Sequence, residues 1–221
     1  MIDKLKYQLV KIKLLPNTLF SQRHIFRQIF KNNGWKNKES RSGPGSTLEQ
    51  TEKIRIEIQK LFQDLEIKSI LDVPCGDFNW MKEINLEQLS YTGMDIVPEL
   101  IEDNNKKYGD RHLKFIVGDI TKDKIPAVDL IICRDCLVHF SYKNINKAIN
   151  NLKKSGARYL LATSFPHHEN EDIITGDWRP INLEKEPFRL PIPHSIINEQ
   201  CSEGNGIYAD KSLCLWELSR I

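Results

Sequence analysis

Asp72-Val73-Pro74-Cys75-Gly76-Asp77-Phe78 follows an apolar run directly, and its Pro-Cys-Gly turn keeps the backbone tight. Gly76 lacks a Cβ, so a ligand could approach the main chain closely there. Gly93-Met94-Asp95 puts a carboxylate 19 residues after Gly76. An acid at that spacing can accept both hydroxyls of a ribose, although a helix cap or turn acid reads equally well from this residue alone. Gly118-Asp119-Ile120 adds a carboxylate that could accept from an adenine amino group, and a following N–H that could donate to a ring nitrogen. In this order, after successive strands, the three describe a site for an adenosine-containing ligand. The G-x-G-x-x-G fingerprint is absent, as is the P-loop pattern, which disfavours a nicotinamide cofactor.

A second group of residues could move protons. His139, in Arg134-Asp135-Cys136-Leu137-Val138-His139-Phe140, titrates near neutrality and could act as general base, with Asp135 orienting it or binding the acceptor. A structural, backbone-bonded His139 is the alternative. His167 and His168, after Ser164, are further base candidates, a weaker divalent-metal candidate with Asn170, Glu171 and Asp172, or plain loop. Cys133, Cys136 and His139 have a spacing that could ligate zinc with Cys75. No metal is expected, because Cys133 falls inside an apolar strand and no second Cys-x-x-Cys exists. In Gly176-Asp177-Trp178-Arg179-Pro180, Trp178 could stack on an acceptor ring and Arg179 could pair with an anionic group. A buried Trp with a surface cation is the bland reading.

These residues need a scaffold that delivers them to one edge. Strands are expected at 68–73, 91–96, 113–117, 127–133 and 158–164, with a helix at 142–153. Such alternation predicts a parallel sheet covered on both faces. Two last strands, 194–199 and 212–218, joined by the Gly-rich 203–206, are expected to close it as an antiparallel pair, giving seven strands. Ser46-Thr47-Leu48-Glu49 fits a capping box, so a helix is expected from Thr47 to about Gln63 on Ile54, Ile56, Ile58, Leu61 and Phe62.

The chain has 221 residues, 28% charged and 40% hydrophobic, consistent with one folded domain plus an arm. Its five cysteines, an odd number without a dense framework, point to a reducing, cytoplasmic location. No apolar run is long enough to span a membrane. Residues 1–41 hold ten Lys or Arg against two acids, which leaves the remainder acidic for a total of +2. That balance disfavours a nucleic-acid coat. The arm (1–41) reads as two amphipathic helices. One runs on Ile2, Leu5, Leu9 and Ile12; the other runs from Thr18 to Lys31, capped by Asn17 and stopped by Gly34. They either pack on the body (42–221) or meet an anionic membrane, a partner or a second copy.

The strand Asp129–Cys133 with its following Arg134-Asp135, together with Asp72–Phe78, Asp95 and Asp119-Ile120, resembles the motifs of class I S-adenosylmethionine-dependent methyltransferases over residues 47–218. Pro74 and Phe78 stand where glycines are common in that family, although related families use D-x-x-C-G. Ser42–Thr51, Leu71–Met81, Cys133–Phe140 and Thr175–Asn182 also resemble a bacterial methyltransferase group often associated with surface (capsular) polysaccharide biosynthesis. The resemblance implies a Rossmann-like fold and S-adenosylmethionine as cofactor. Asp95 and Ile96 would lie at the ribose, Asp119 and Ile120 at the adenine. The main chain around Pro74, Cys75 and Gly76 would meet the methionine moiety, with Ser46 and Thr47 receiving its carboxylate at a helix N-terminus, and Asp72 and Arg134 would also bind the cofactor. Trp80 would lie near the sulfonium or in plain core. It further implies O-methylation of a sugar or phosphorus-linked group of a glycan precursor. Rival readings are an idle nucleotide-binding module tethered by the basic arm, and a methyltransferase acting on protein or nucleic acid.

Overall fold

The computed structural model describes residues 20–221. The helix expected on Ile2–Ile12 and the Asn17 cap lie outside the described residues. Seven strands, β1 (Ser69–Asp72), β2 (Ser90–Asp95), β3 (Leu113–Val117), β4 (Leu130–Cys133), β5 (Tyr159–Ser164), β6 (Ser195–Asn198) and β7 (Ser212–Glu217), form one sheet in the order β3-β2-β1-β4-β5-β7-β6. The first five are parallel, and β7 runs antiparallel to both β5 and β6. This is the α/β Rossmann-like sheet, with the antiparallel C-terminal strand, that the resemblance implied. The strand order reverses between β1 and β4, and the carboxyl ends beside that reversal are where open α/β sheets bind ligands.

Period-two alternation sorts the central strands onto two cores. Leu71, Ile131, Leu160, Ala162, Cys214 and Trp216 face one layer, which includes the buried Ile145, Ala148 and Leu152 of α4 (Tyr142–Lys153). Ile70, Leu130, Ile132, Leu161, Leu213 and Leu215 face the other. There α2 (Glu52–Asp64) contributes Ile54, Ile58 and Phe62, and α3 (Pro98–Tyr108) contributes Leu100 and Ile101. Each such side chain, fully buried, stabilises the fold by about 1.5–3 kcal/mol. Ile54, Ile58 and Phe62 recur every four residues, whereas Ile56 falls on the opposite face and is 63% exposed.

Two helix starts differ from expectation. α1 (Gln22–Lys31) begins after Ser21, whose Oγ accepts the N–H of His24, so the cap is Ser21 and the helix is four residues shorter than read. α2 begins at Glu52 rather than Thr47. Pro44–Ser46 forms a 3-10 turn, and the Thr47 hydroxyl bonds back to the Pro44 carbonyl at 3.0 Å. The Leu48 N–H is taken by Glu39 at 2.7 Å, so the expected capping box does not form.

β5 and β6 are joined by a long irregular segment, residues 165–194, whose backbone groups are tied down individually. Phe165 N–H bonds Ile181 O, Gly176 N–H bonds His139 O and Arg179 N–H bonds Val138 O, at 2.7–3.1 Å. A loop of this length inside a compact domain is usually functional.

Candidate active site

A cleft of about 970 Å³, counting its open mouth, lies beyond the carboxyl ends of β1, β2 and β4. Of the residues expected to hold a cofactor, Ser46, Pro74, Cys75, Gly76, Trp80 and Asp95 line it, and so do Ile96, Asp119, Ile120 and Arg134.

Asp95 ends β2 and is nearly buried. Its Oδ1 accepts the Val97 N–H at 2.9 Å and its Oδ2 the Gly76 N–H at 3.3 Å. A carboxylate offers about four acceptor positions, so capacity remains for two hydroxyls. Burial raises its pKa to about 6 against the opposing N–H bonds. Asp119 is positioned by its own turn: Oδ1 accepts from the Thr121 N–H at 2.9 Å and hydroxyl at 2.6 Å, while Oδ2 lies 3.5 Å from Lys122 Nζ. These donors and acceptors fit an adenosine-bearing cofactor.

Two expected cofactor residues are not in the cleft. Asp72 is buried within the sheet, where it accepts the Tyr91 hydroxyl at 2.7 Å. Thr47 turns away to serve its own loop, since no helix N-terminus stands there. A Cβ on Gly76 would lie 2.1 Å from the Ser42 hydroxyl, and its φ is +53°. Its missing side chain therefore admits Ser42, while the residue lines the cleft. Asp77 fixes the same loop by accepting from Ser40 Oγ (2.9 Å), Arg41 N–H (2.6 Å) and Ser42 Oγ (3.1 Å). Asn79 adds bonds to Glu39 and to the Ser46 carbonyl. Residues 39–48 thus clamp onto the turn after β1 and wall the cleft.

Sequence reasoning missed the wall formed by Phe26, Phe30 and Trp35, which line the cleft from α1 and the turn after it. α1 is held there by Arg27 and Lys31 on Glu99 and by Gln22 on Thr121. The i, i+4 spacing of Phe26 and Phe30 was visible as an apolar stripe, but nothing in it specified the cleft as its target.

At the β4 end stand Asp135, Cys136 and His139. His139 Nδ1 lies 2.9 Å from the Asp177 carbonyl oxygen. A carbonyl only accepts, so Nδ1 carries the proton and Nε2 keeps its lone pair. Burial lowers the His139 pKa, opposed by that carbonyl and by the Asp135 charge. Its ring neighbours Trp35 at 5.4 Å and Phe26 at 6.5 Å between centroids. Asp135 has φ +50° and donates its N–H to Thr163 Oγ1 at 2.8 Å.

Asp135, 24% exposed, joins three buried charges in a set that the sequence did not reveal. Arg134 pairs Glu199 through Nε at 3.1 Å and Nη2 at 2.6 Å, and reaches Gly45 O at 2.8 Å. Lys211 Nζ bonds Asp135 Oδ2 at 2.7 Å and lies 3.4 Å from Glu199. Two positive and two negative groups cancel, as burial of charge requires. Burial pushes the Asp135 pKa up, but Lys211 and Arg134 outweigh it and hold it at about 2. The Trp80 ring lies under the Arg134 guanidinium at 5.5 Å. Gly45 passes so close that a Cβ there would lie 3.2 Å from Asp135 Oδ2.

The remaining expectations fall outside the cleft. Arg179 is buried, and its guanidinium is taken up by the carbonyls of Leu137, Phe140 and Glu171. It holds the loop and is not offered to an anionic acceptor. His167 and His168 do not line the cleft; His168 Nδ1 and the His167 N–H both meet Asp210 Oδ2, at 3.1 and 2.8 Å. Trp178 is 38% exposed beside them. Among the described residues, no three His, Cys, Asp or Glu side chains converge as a metal site, and no helix is long and apolar enough to cross a membrane.

Residues 70–156 match the family described as "Methyltransferase domain". No curated protein sequence matches the chain significantly. Among solved structures, TnmH is similar with a TM-score of 0.56 and 12% identity, over 75% of this chain and 54% of TnmH. Magnesium protoporphyrin IX methyltransferase (ChlM) from Synechocystis PCC 6803, solved with bound SAH, is similar with a TM-score of 0.51 and 14% identity, over 66% of this chain and 73% of its own. These structural likenesses establish the fold, and the family match covers the strands and turns that build the cleft. Residues 70–156 therefore match a methyltransferase-domain family, within a fold shared with magnesium protoporphyrin IX methyltransferase.

Proposed function

We propose that the protein methylates a hydroxyl oxygen on a sugar or phosphorus-linked group of a bacterial surface-glycan precursor, with His139 as general base. The observation that carries the oxygen assignment is the Nδ1 contact to the Asp177 carbonyl, which leaves the Nε2 lone pair on the cleft side chain most suited to take a proton. The glycan class is supported by the sequence likeness of Ser42–Thr51, Leu71–Met81, Cys133–Phe140 and Thr175–Asn182.

When bound, S-adenosylmethionine supplies an electrophilic methyl group whose bonding pair leaves with sulfur. Asp95 would accept the ribose hydroxyls, and Asp119 with Ile120 would hold the adenine. Phe26, Phe30 and Trp35 keep water from the cleft. His139 takes the acceptor hydroxyl proton on Nε2 as the carbon–oxygen bond forms. Alignment of two reactants supplies roughly 7–11 kcal/mol, and a positioned base adds about 10²–10⁴ in rate. Asp135, kept ionised by Lys211 and Arg134, favours the imidazolium that results.

The test is calorimetric titration with S-adenosylhomocysteine on the native chain and Asp95→Ala, followed by turnover assays on nucleotide-linked sugars. Micromolar binding lost in Asp95→Ala, with sugar methylation lost in His139→Gln, is the expected result. Equal binding by Asp95→Ala would overturn the ribose assignment. Full turnover in His139→Gln would overturn the base. Binding without turnover on any acceptor would favour the idle nucleotide-binding module, and methylation of protein or nucleic acid alone would replace the acceptor class.

A further inference from the structure

Beyond His139, the 165–182 segment and the turn before β7 gather rings outside the cleft. Trp178 and Tyr208 lie 4.9 Å apart between centroids at 74°, and Tyr208 and His168 lie 6.0 Å apart at 33°. Phe165, buried, stands edge-on to His168 at 5.5 Å and to Trp178 at 6.2 Å. The cluster is held rigidly. Asn182 Nδ2 bonds Pro166 O at 2.7 Å, and a Cβ at Gly204 would lie 2.7 Å from the Tyr208 ring.

His168 is set like an oriented base. Its Nδ1 meets Asp210 Oδ2 at 3.1 Å, and the Asp210 side chain is only 7% exposed. The carboxylate fixes the proton on Nδ1 and leaves Nε2 as an acceptor. Two chain joints tie this cluster to the methyl-transfer end. Asp177 holds His139, and Trp178 is the next residue. Lys211 holds Asp135, and Asp210 is the residue before it. The cluster is thus carried by the same two segments that hold His139 and Asp135, one residue along the chain from each contact.

We infer that Trp178, Tyr208 and His168 form an outer acceptor subsite for a neutral polyhydroxylated ring, a saccharide unit next to the one methylated. This rests on the proposed function above. Trp178 and Tyr208 make a corner rather than a parallel slot, which suits the C–H faces of a puckered ring better than a flat base. Their N–H and O–H, with His168 Nε2, serve hydroxyls. The buried carboxylate of Asp210 behind His168 disfavours an anionic ligand.

The experiment uses the full chain with S-adenosylhomocysteine present and its tryptophans labelled with 15N. The indole signal of Trp178 is assigned by its loss in Trp178→Phe. Lactose, cellobiose and N,N′-diacetylchitobiose are titrated beside glucose. At least one disaccharide is expected to shift the Trp178 signal more strongly than glucose does. His168→Ala should weaken that binding about tenfold, as loss of one hydrogen bond does, while S-adenosylhomocysteine affinity stays within twofold. A Trp178 signal indifferent to every saccharide, or a shift that His168→Ala leaves unchanged, would overturn the subsite while the methyltransferase reading stands. Failure of the native chain to bind S-adenosylhomocysteine would overturn the proposed function, and this subsite with it.

Discussion

The two ends of the cleft are built in different ways. At the β2 and β3 end each carboxylate is held chiefly by its own turn: Asp95 by Val97 two residues on, with a longer bond from Gly76, and Asp119 by Thr121 two residues on. At the β4 end the partners are remote in sequence. His139 depends on Asp177, 38 residues away, Arg134 on Glu199, 65 away, and Asp135 on Lys211, 76 away. The first end forms wherever its strand and turn form. The second exists only after β6 and β7 have docked, and one broken partnership leaves a buried charge exposed to its neighbours. A turn-built site loses affinity when damaged, and a network-built site loses the fold around it.

The largest expected effect is on turnover. His139→Gln should lower kcat by about 10²–10⁴ with any accepted substrate while S-adenosylhomocysteine affinity holds. Its acid limb should lie below the ordinary histidine range, because burial lowers the His139 pKa and the neutral form must be present. Next comes stability at the networked end. Glu199→Ala should destabilise by about 3–5 kcal/mol in urea titration, because it leaves Arg134 and Lys211 with only Asp135 to balance two buried charges. A loss under 1 kcal/mol would remove the contrast between the two ends.

At the turn-built end, Asp95→Ala should weaken S-adenosylhomocysteine binding about 100-fold, the worth of two charge-assisted bonds, with little change in Tm. Binding by the native chain should also weaken about tenfold between pH 7 and pH 5. The sign follows from the Asp95 pKa of about 6: the carboxylate that accepts hydroxyls is present above it and lost as pH falls through it. Asp95→Asn should abolish that slope. The smallest effects belong to Thr47→Ala and Asp72→Asn, which should leave the affinity within twofold, since neither side chain lines the cleft. A tenfold loss in either would restore the roles that the sequence implied.

The central strands and α4 were legible because their residues are apolar at strand or helix spacing. β3 (Leu113–Val117) and α4 (Tyr142–Lys153) fall where the sequence places them. The start of α2 was misread because capping-box residues also make a turn when Pro44 and Glu39 compete for the same groups. Arg179 was misread for a related reason. A guanidinium beside a Trp looks available to a ligand, yet here three carbonyls consume it.

Local pattern determined the strand spans and the acids that close β2 and follow β3, because these depend on residues within a few positions of one another. The strand order that puts β4 beside β1 joins residues about 60 positions apart. Only the tertiary structure decided what touches the cleft from afar. Phe26 and Trp35 flank His139, Ser42 fills the space above Gly76, and Glu199 and Lys211 balance Arg134 and Asp135. The reason is physical: a charge or ring carries no mark of its partner until the chain brings the two within contact and excludes the water between them.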